Sequence, residues 1–138
     1  MKFSLIFGYI GVLLGFFFGA YNILIAWFLV NPILVFTFLG FIVFPTGGLL
    51  AINLDSKDTN MASTLFLISS LGIIITGAQF GIISSILFLI AALLEFSDKN
   101  KVSTINSDQK KKWIIIHLIT VFLIPILYYI RSLFVLYP

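Results

Sequence analysis

Residues 61–96 read MASTLFLISSLGIIITGAQFGIISSILFLIAALLEF, an apolar stretch broken once, at Gly77-Ala78-Gln79-Phe80-Gly81. As one helix rising 1.5 Å per residue it would be about 54 Å long, against a bilayer hydrocarbon core of roughly 30 Å. The break combines two glycines with Gln79, the only strongly polar residue inside the stretch, so the chain is expected to turn there. Two short helices follow, over about 61–77 and 81–96.

The same length argument applies on the N-terminal side. Residues 3–54 would form a single helix of about 78 Å, so this block must also fold back. Its best turn is Asn31-Pro32, because proline cannot donate a helical hydrogen bond and disfavours helix in the residue before it. Helices are expected over about 4–29 and 33–53. A short polar stretch, Asp55 to Asn60, separates this block from residues 61–96, and a longer one, 97–112, precedes a last apolar block that predicts a helix over about 113–135. The expected fold is therefore an all-α, polytopic transmembrane helical bundle of five spans, forming a single membrane domain over residues 1–138. Four spans is the alternative, if residues 61–96 cross once as a long tilted helix.

Composition points the same way. The chain is 61% hydrophobic, 17% aromatic and 9% charged, whereas an ordinary soluble domain is roughly 25% charged. That excludes a water-soluble fold, and the expected location is the cell membrane, crossed several times. Lys2 before an apolar run resembles the start of a signal peptide. Phe18 stands where cleavage at Ala20 would need a small residue, and the run continues to Leu54, so the segment is read as a retained first span.

Lysine placement orients the bundle, because short loops rich in Lys and Arg stay in the cytoplasm. Loop 97–112 holds Lys99, Lys101, Lys110, Lys111 and Lys112 against Asp98 and Asp108. With five spans, the N-terminus, loop 55–60 and loop 97–112 are all cytoplasmic, and the uncharged turns face outward. The net charge of +3 thus bears on orientation and not on nucleic acid. The expected partners are a lipid bilayer with anionic headgroups and another membrane protein or a second copy of the chain. With no cysteine and a single histidine, His117, no thiolate chemistry and no zinc site is implied, and no cofactor or metal is expected.

The arrangement of residues 4–100 resembles the small tetraspan membrane proteins of unknown function of low-GC Gram-positive bacteria. The resemblance rests on a glycine-rich first helix, a second helix ending in a short polar loop, and the tight pair TLFLISSLGIIITGAQFGIISSILFLIAALLEFSDKNK. Here Ala91-Ala92 stands where those proteins carry a glycine in the last helix, and a fifth helix is appended. The resemblance implies an architecture and no activity.

Three features could carry function. Gly8, Gly11, Gly15, Gly19, Asn22 and Ala26 are spaced by 3, 4, 4, 3 and 4 residues, so they line one face of helix 1. Small residues let helices approach closely in lipid, where dispersion and interhelical hydrogen bonds drive association. The seam is expected to meet another helix of the same chain or a partner protein; a second row, Gly81, Ser85 and Ala92, could face it.

The second feature is Pro45-Thr46-Gly47-Gly48, where Pro45 frees the carbonyl of Phe41 and a kink or unwound stretch is expected. By residue counting it shares the inner half of the bilayer with Glu95 and His117, a possible polar inner-leaflet site of the kind broken helices form in transporters. The plainer reading pairs Glu95 with Lys99 four residues on, and has His117 donate to a carbonyl. Third, Lys110, Lys111, Lys112 and Trp113 at one interface, and Arg131 at the other, are expected to anchor the chain to lipid headgroups.

No pair of carboxylates, nucleophile with its base, or nucleotide-binding motif appears, so no catalytic residue is assigned and an enzyme is not expected. The leading expectation is a non-enzymatic accessory or modulatory subunit of a membrane assembly, packing through its small-residue helix faces. A small oligomeric channel or transporter using the helix 2 break is the alternative. An immunity or exclusion protein is a further one.

Overall fold

The structure is a computed structural model that describes the backbone of residues 2–29, 32–112, 114–116, 119, 123 and 130. It describes their side chains except at 22, 23, 25–29, 32–39 and 77–80. Within it the chain is all-helical, with α1 over Phe3–Leu29, α2 over Pro32–Leu54 and α3 over Thr59–Ser97.

Although α3 is a 39-residue helical segment, it reverses direction. Ser85 Oγ donates to the carbonyl of Ser70 at 2.8 Å and Ser70 Oγ to that of Ser85 at 2.9 Å. Ser63 Oγ reaches the carbonyl of Ala92 at 3.4 Å, residues that a straight helix would hold about 43 Å apart. Both pairings are centred between Gly77 and Ala78, inside the turn expected from sequence. The two arms, Thr59–Thr76 and Gly81–Ser97, therefore run antiparallel. Gly81 is where they converge, because a Cβ there would lie 2.9 Å from the backbone carbonyl oxygen of Ile73. The buried hydroxyls of Ser63, Ser70 and Ser85 are satisfied by carbonyls of the opposite arm, as apolar surroundings favour.

α1 lies against both α2 and α3, and its glycines make that possible. A Cβ at Gly8 would lie 2.7 Å from the Phe66 ring, and one at Gly11 3.2 Å from the Phe88 ring. At Gly15 it would lie 2.5 Å from Pro45 Cγ, and at Gly19 3.0 Å from Phe41 Cβ. The close approach also lets Ser84 Oγ donate to the carbonyl of Gly11 at 2.6 Å. Phe41, Phe44, Phe66 and Phe88 are fully buried, and Phe66 and Phe88 stack with centroids 6.0 Å apart. Gly48 receives Phe88, and Gly72 receives Phe44. Phenylalanine seated on glycine is thus the unit of packing, which gives dispersion contacts over a large flat area without a lobe of side chain between backbones.

At Pro45 a kink or an unwound stretch is expected, and the unwound stretch is absent from α2. It stays helical through Pro45, with neither an unwound stretch nor an open break at 45–48. Pro45, Gly47 and Gly48 are buried, and the proline ring fits against Gly15 of α1. Packing on both sides thus holds a helical path that has lost one hydrogen bond. Thr46 faces outward and bonds the carbonyl of Val43 at 2.6 Å.

Two stretches of the described residues, Phe3–Tyr21 and Thr59–Thr76, are long and apolar enough to cross a membrane. Gly40–Leu54 and Gly81–Ser97 are apolar but shorter. Helix is present again at 107–112, ahead of the expected start at 113, and at 114–116. Most of 113–135 lies outside the described residues, as does the Asn31 turn.

Candidate functional site: the polar end of the bundle

Two reversals, one between α1 and α2 and one within α3, bring Lys2, the end of α2 and the end of α3 to the same end of the molecule. There the ammonium of Lys2 lies among three carboxylates. It is 3.0 Å from Asp55 Oδ1, 3.5 Å from Glu95 Oε2 and 2.9 Å from Asp98 Oδ2. One cation from the first residues of the chain thus clasps the far ends of α2 and α3. Ser4, buried one turn into α1, donates to Glu95 Oε1.

These contacts set the charge states. Partial burial opposes a charge on Lys2, but hydrogen bonds to Asp98 and Asp55 outweigh it and hold the ammonium well above the usual lysine range. The backbone N–H of Asn100, followed by Lys2, holds the Asp98 carboxyl below the usual range. A shallow cavity of about 280 Å³ opens beside the clasp, lined by Lys2, Phe3, Ser4, Leu94, Ser97 and Asp98.

A second cluster adjoins the first. Asp58 caps α3 by accepting from the N–H of Met61 at 2.9 Å, satisfying one of the helix's free donors. Its other oxygen accepts from Ser103 Oγ at 3.2 Å and pairs with the ammonium of Lys110. Desolvation works against the charge on Asp58, and Lys110, Met61 and Ser103 together overcome it, so its carboxyl stays below the usual range. The backbone follows the side chains. Thr59 N donates to Val102 O at 3.0 Å and Thr104 N to Lys57 O at 2.8 Å, around an antiparallel bridge between Asp58 and Ser103. Residues 102–110 are therefore strapped onto the α2–α3 loop.

The residues singled out from sequence are placed as follows. Gly8, Gly11, Gly15 and Gly19 form one buried seam, and it packs inside the chain, on α2 and both arms of α3. The side chains of Asn22 and Ala26 lie outside the described residues. Glu95 does not join Pro45-Thr46-Gly47-Gly48, because Pro45 is about 15 Å from Asp55 along α2, and it pairs with Lys2 and not with Lys99. His117, Trp113 and Arg131 lie outside the described residues. Lys110 turns onto Asp58 and Ser103, whereas Lys111 and Lys112 are exposed.

Sequence reasoning did not find Lys2, Ser4, Asp55, Asp58 and Asp98 as a set. A signal was present: the charge rule puts Lys2, loop 55–60 and loop 97–112 on one side, where a lone N-terminal lysine faces acidic residues at two helix ends. Among the described residues no group of three His, Asp or Glu side chains is placed to hold a metal ion. No protein-family model matches the chain, and neither the curated proteins nor the solved structures contain a significant match.

Proposed function

We propose that the protein is a multi-pass integral membrane protein, five spans with a cytoplasmic N-terminus, that acts without catalysis as an accessory or modulatory subunit of a membrane assembly. The observation that carries this reading is the contrast between a filled interior and an apolar exterior. Inside, four fully buried phenylalanines occupy the space that a solute path through one bundle would need, which counts against a channel along its axis. Outside, α1 presents Phe3, Leu13, Phe17 and Leu24 on one face, each more than half exposed. With the glycine seam used within the chain, this outer face, together with the exposed faces of α3 at Ile75, Ile83 and Leu93, is left to meet lipid or a partner helix. Its large, contiguous apolar side chains suit either.

The test is the mass and composition of the complex extracted from its native membrane in mild detergent. A second protein in stoichiometric amount is expected, and Leu13→Ala with Phe17→Ala should release it while insertion and folding are kept. Recovery of the chain alone, or a complex unchanged by the double substitution, contradicts the reading.

A further inference from the structure

The charges of the clasp do not balance. Lys2 is a single cation facing Asp55, Glu95 and Asp98, and its short contacts go to Asp55 and Asp98. Glu95 is 1% exposed. Its Oε1 accepts from Ser4, but its Oε2 has no hydrogen-bond partner and lies 3.5 Å from the ammonium. The carboxyl group of Asp55, also buried, shares the Lys2 ammonium with Glu95, its Oδ1 at 3.0 Å and Glu95 Oε2 at 3.5 Å from the same nitrogen, so the two carboxyl groups are neighbours. Two carboxylates that close, shielded from water, repel each other unless something positive lies between them. Glu95 Oε2 is out of reach of solvent, so water does not screen the pair there.

We propose that Glu95 Oε2 is a proton-binding site: one proton, taken from the aqueous phase at the polar end and held between Glu95 and Asp55, completes the Lys2 clasp at neutral pH. The hydrogen bond it forms runs from the Glu95 carboxyl to an Asp55 oxygen and replaces the repulsion by an attraction. The charged and polar groups facing the pair come from each neighbouring element: Lys2 just ahead of α1 and Ser4 in its first turn, Asp55 just after α2, and Asp98, itself near Lys101, just after α3. Raising the pH removes the proton and leaves three negative charges around one ammonium. The clasp between the N-terminus and the ends of α2 and α3 then loosens. This inference is independent of the accessory-subunit reading, since it concerns the chain alone.

Infrared spectroscopy of the full-length protein in lipid nanodiscs tests it directly. The chain has five acidic side chains, of which Asp58 and Asp98 are held below the usual range and Asp108 is exposed. A protonated-carboxyl stretch at pH 7 is therefore expected from the Glu95–Asp55 pair alone. It should disappear in Glu95→Gln and, in the unmodified protein, on raising the pH. Glutamine can donate the same hydrogen bond, so the melting temperature of Glu95→Gln should stay within about 2 °C of the unmodified protein, while Glu95→Ala falls by about 5 °C or more. The proposal is overturned by the absence of the band in the unmodified protein at pH 7, by its persistence in Glu95→Gln, or by equal losses of stability in the Gln and Ala variants.

Discussion

The middle of the bundle and its polar end are held together in opposite ways. In the middle, Gly8, Gly11 and Gly15 receive Phe66, Phe88 and Pro45, and cohesion comes from flat uncharged surfaces brought close, joined by a few hydroxyl-to-carbonyl bonds such as Ser84 to Gly11. At the end, Lys2 meets Asp55, Glu95 and Asp98, and Lys110 meets Asp58, through ion pairs and hydrogen bonds. The middle tolerates no added volume. The end tolerates shape changes but depends on which groups carry charge. On the proposed membrane reading a bundle needs both, because lipid offers no hydrophobic drive for helices to associate, while water at the end screens any single ion pair.

The largest expected effect is in the middle. Gly15→Leu places atoms where the Pro45 ring already lies, and a destabilisation of about 2–4 kcal/mol is expected. It should be read as a lower melting temperature and a lower yield of monodisperse protein by size-exclusion chromatography. Leu13→Ala, two residues away but facing outward, is the matched control. A similar loss in both variants would break the distinction between the two faces of α1.

At the polar end the strongest single side chain is Asp58. Asp58→Ala removes the cap of α3, the Lys110 pair and the Ser103 contact together, and about 1–3 kcal/mol is expected from thermal melts. Lys110→Met should cost less than 1 kcal/mol, since that ammonium is partly exposed and solvent screens the pair. A double-mutant cycle in which Asp58→Ala and Lys110→Met simply add would show that the strap is held by its backbone bonds alone.

The same end should respond to acid. Asp58 and Asp98 have lower carboxyl pKa values in the folded protein than the ordinary 3.8. Their contribution to stability is therefore fully present above that value and is lost as the pH falls through the depressed folded values. Melting temperature measured against pH in detergent should fall on the acid side of pH 4. Asp58→Asn should flatten that fall. For Lys2, whose folded pKa is raised, the contribution is fully present below the ordinary 10.5 and is lost as the pH rises through the higher folded value.

The contrast between the regions also explains what could be read in advance. Spacings of three and four residues place Gly8, Gly11, Gly15 and Gly19 on one face whatever they pack against, so the seam was legible, whereas its fillers Phe66, Phe88 and Pro45 were not. The reversal near Gly77 and Ala78 was legible from length, since no single helix of 36 residues matches a bilayer core. Which of a kink or an unwound stretch Pro45 would give was not legible, because the ring's fit against Gly15, which favours a continuous helical path, is a contact far apart in sequence. Least legible was the clasp, in which Lys2 finds partners 53 and more residues away. Charge placement put those residues on one side but could not pair them. It favoured Lys99 for Glu95, the neighbour in sequence, over Lys2, the neighbour in space.

The smallest effect, and the most direct test of the architecture, is cysteine accessibility. The chain has no cysteine of its own, and Ser56 and Ser107 are exposed, so Ser56→Cys and Ser107→Cys should leave stability within about 0.5 kcal/mol. Both positions belong to the end where Lys2 joins Asp55, Glu95 and Asp98. With Asn31→Cys marking the opposite side, an impermeant thiol reagent added outside intact cells should label position 31 and neither 56 nor 107 until the membrane is opened. Labelling of 56 and 107 from opposite sides would mean that α3 crosses once as a single long helix, and the account of a clasped, reversing bundle would be wrong.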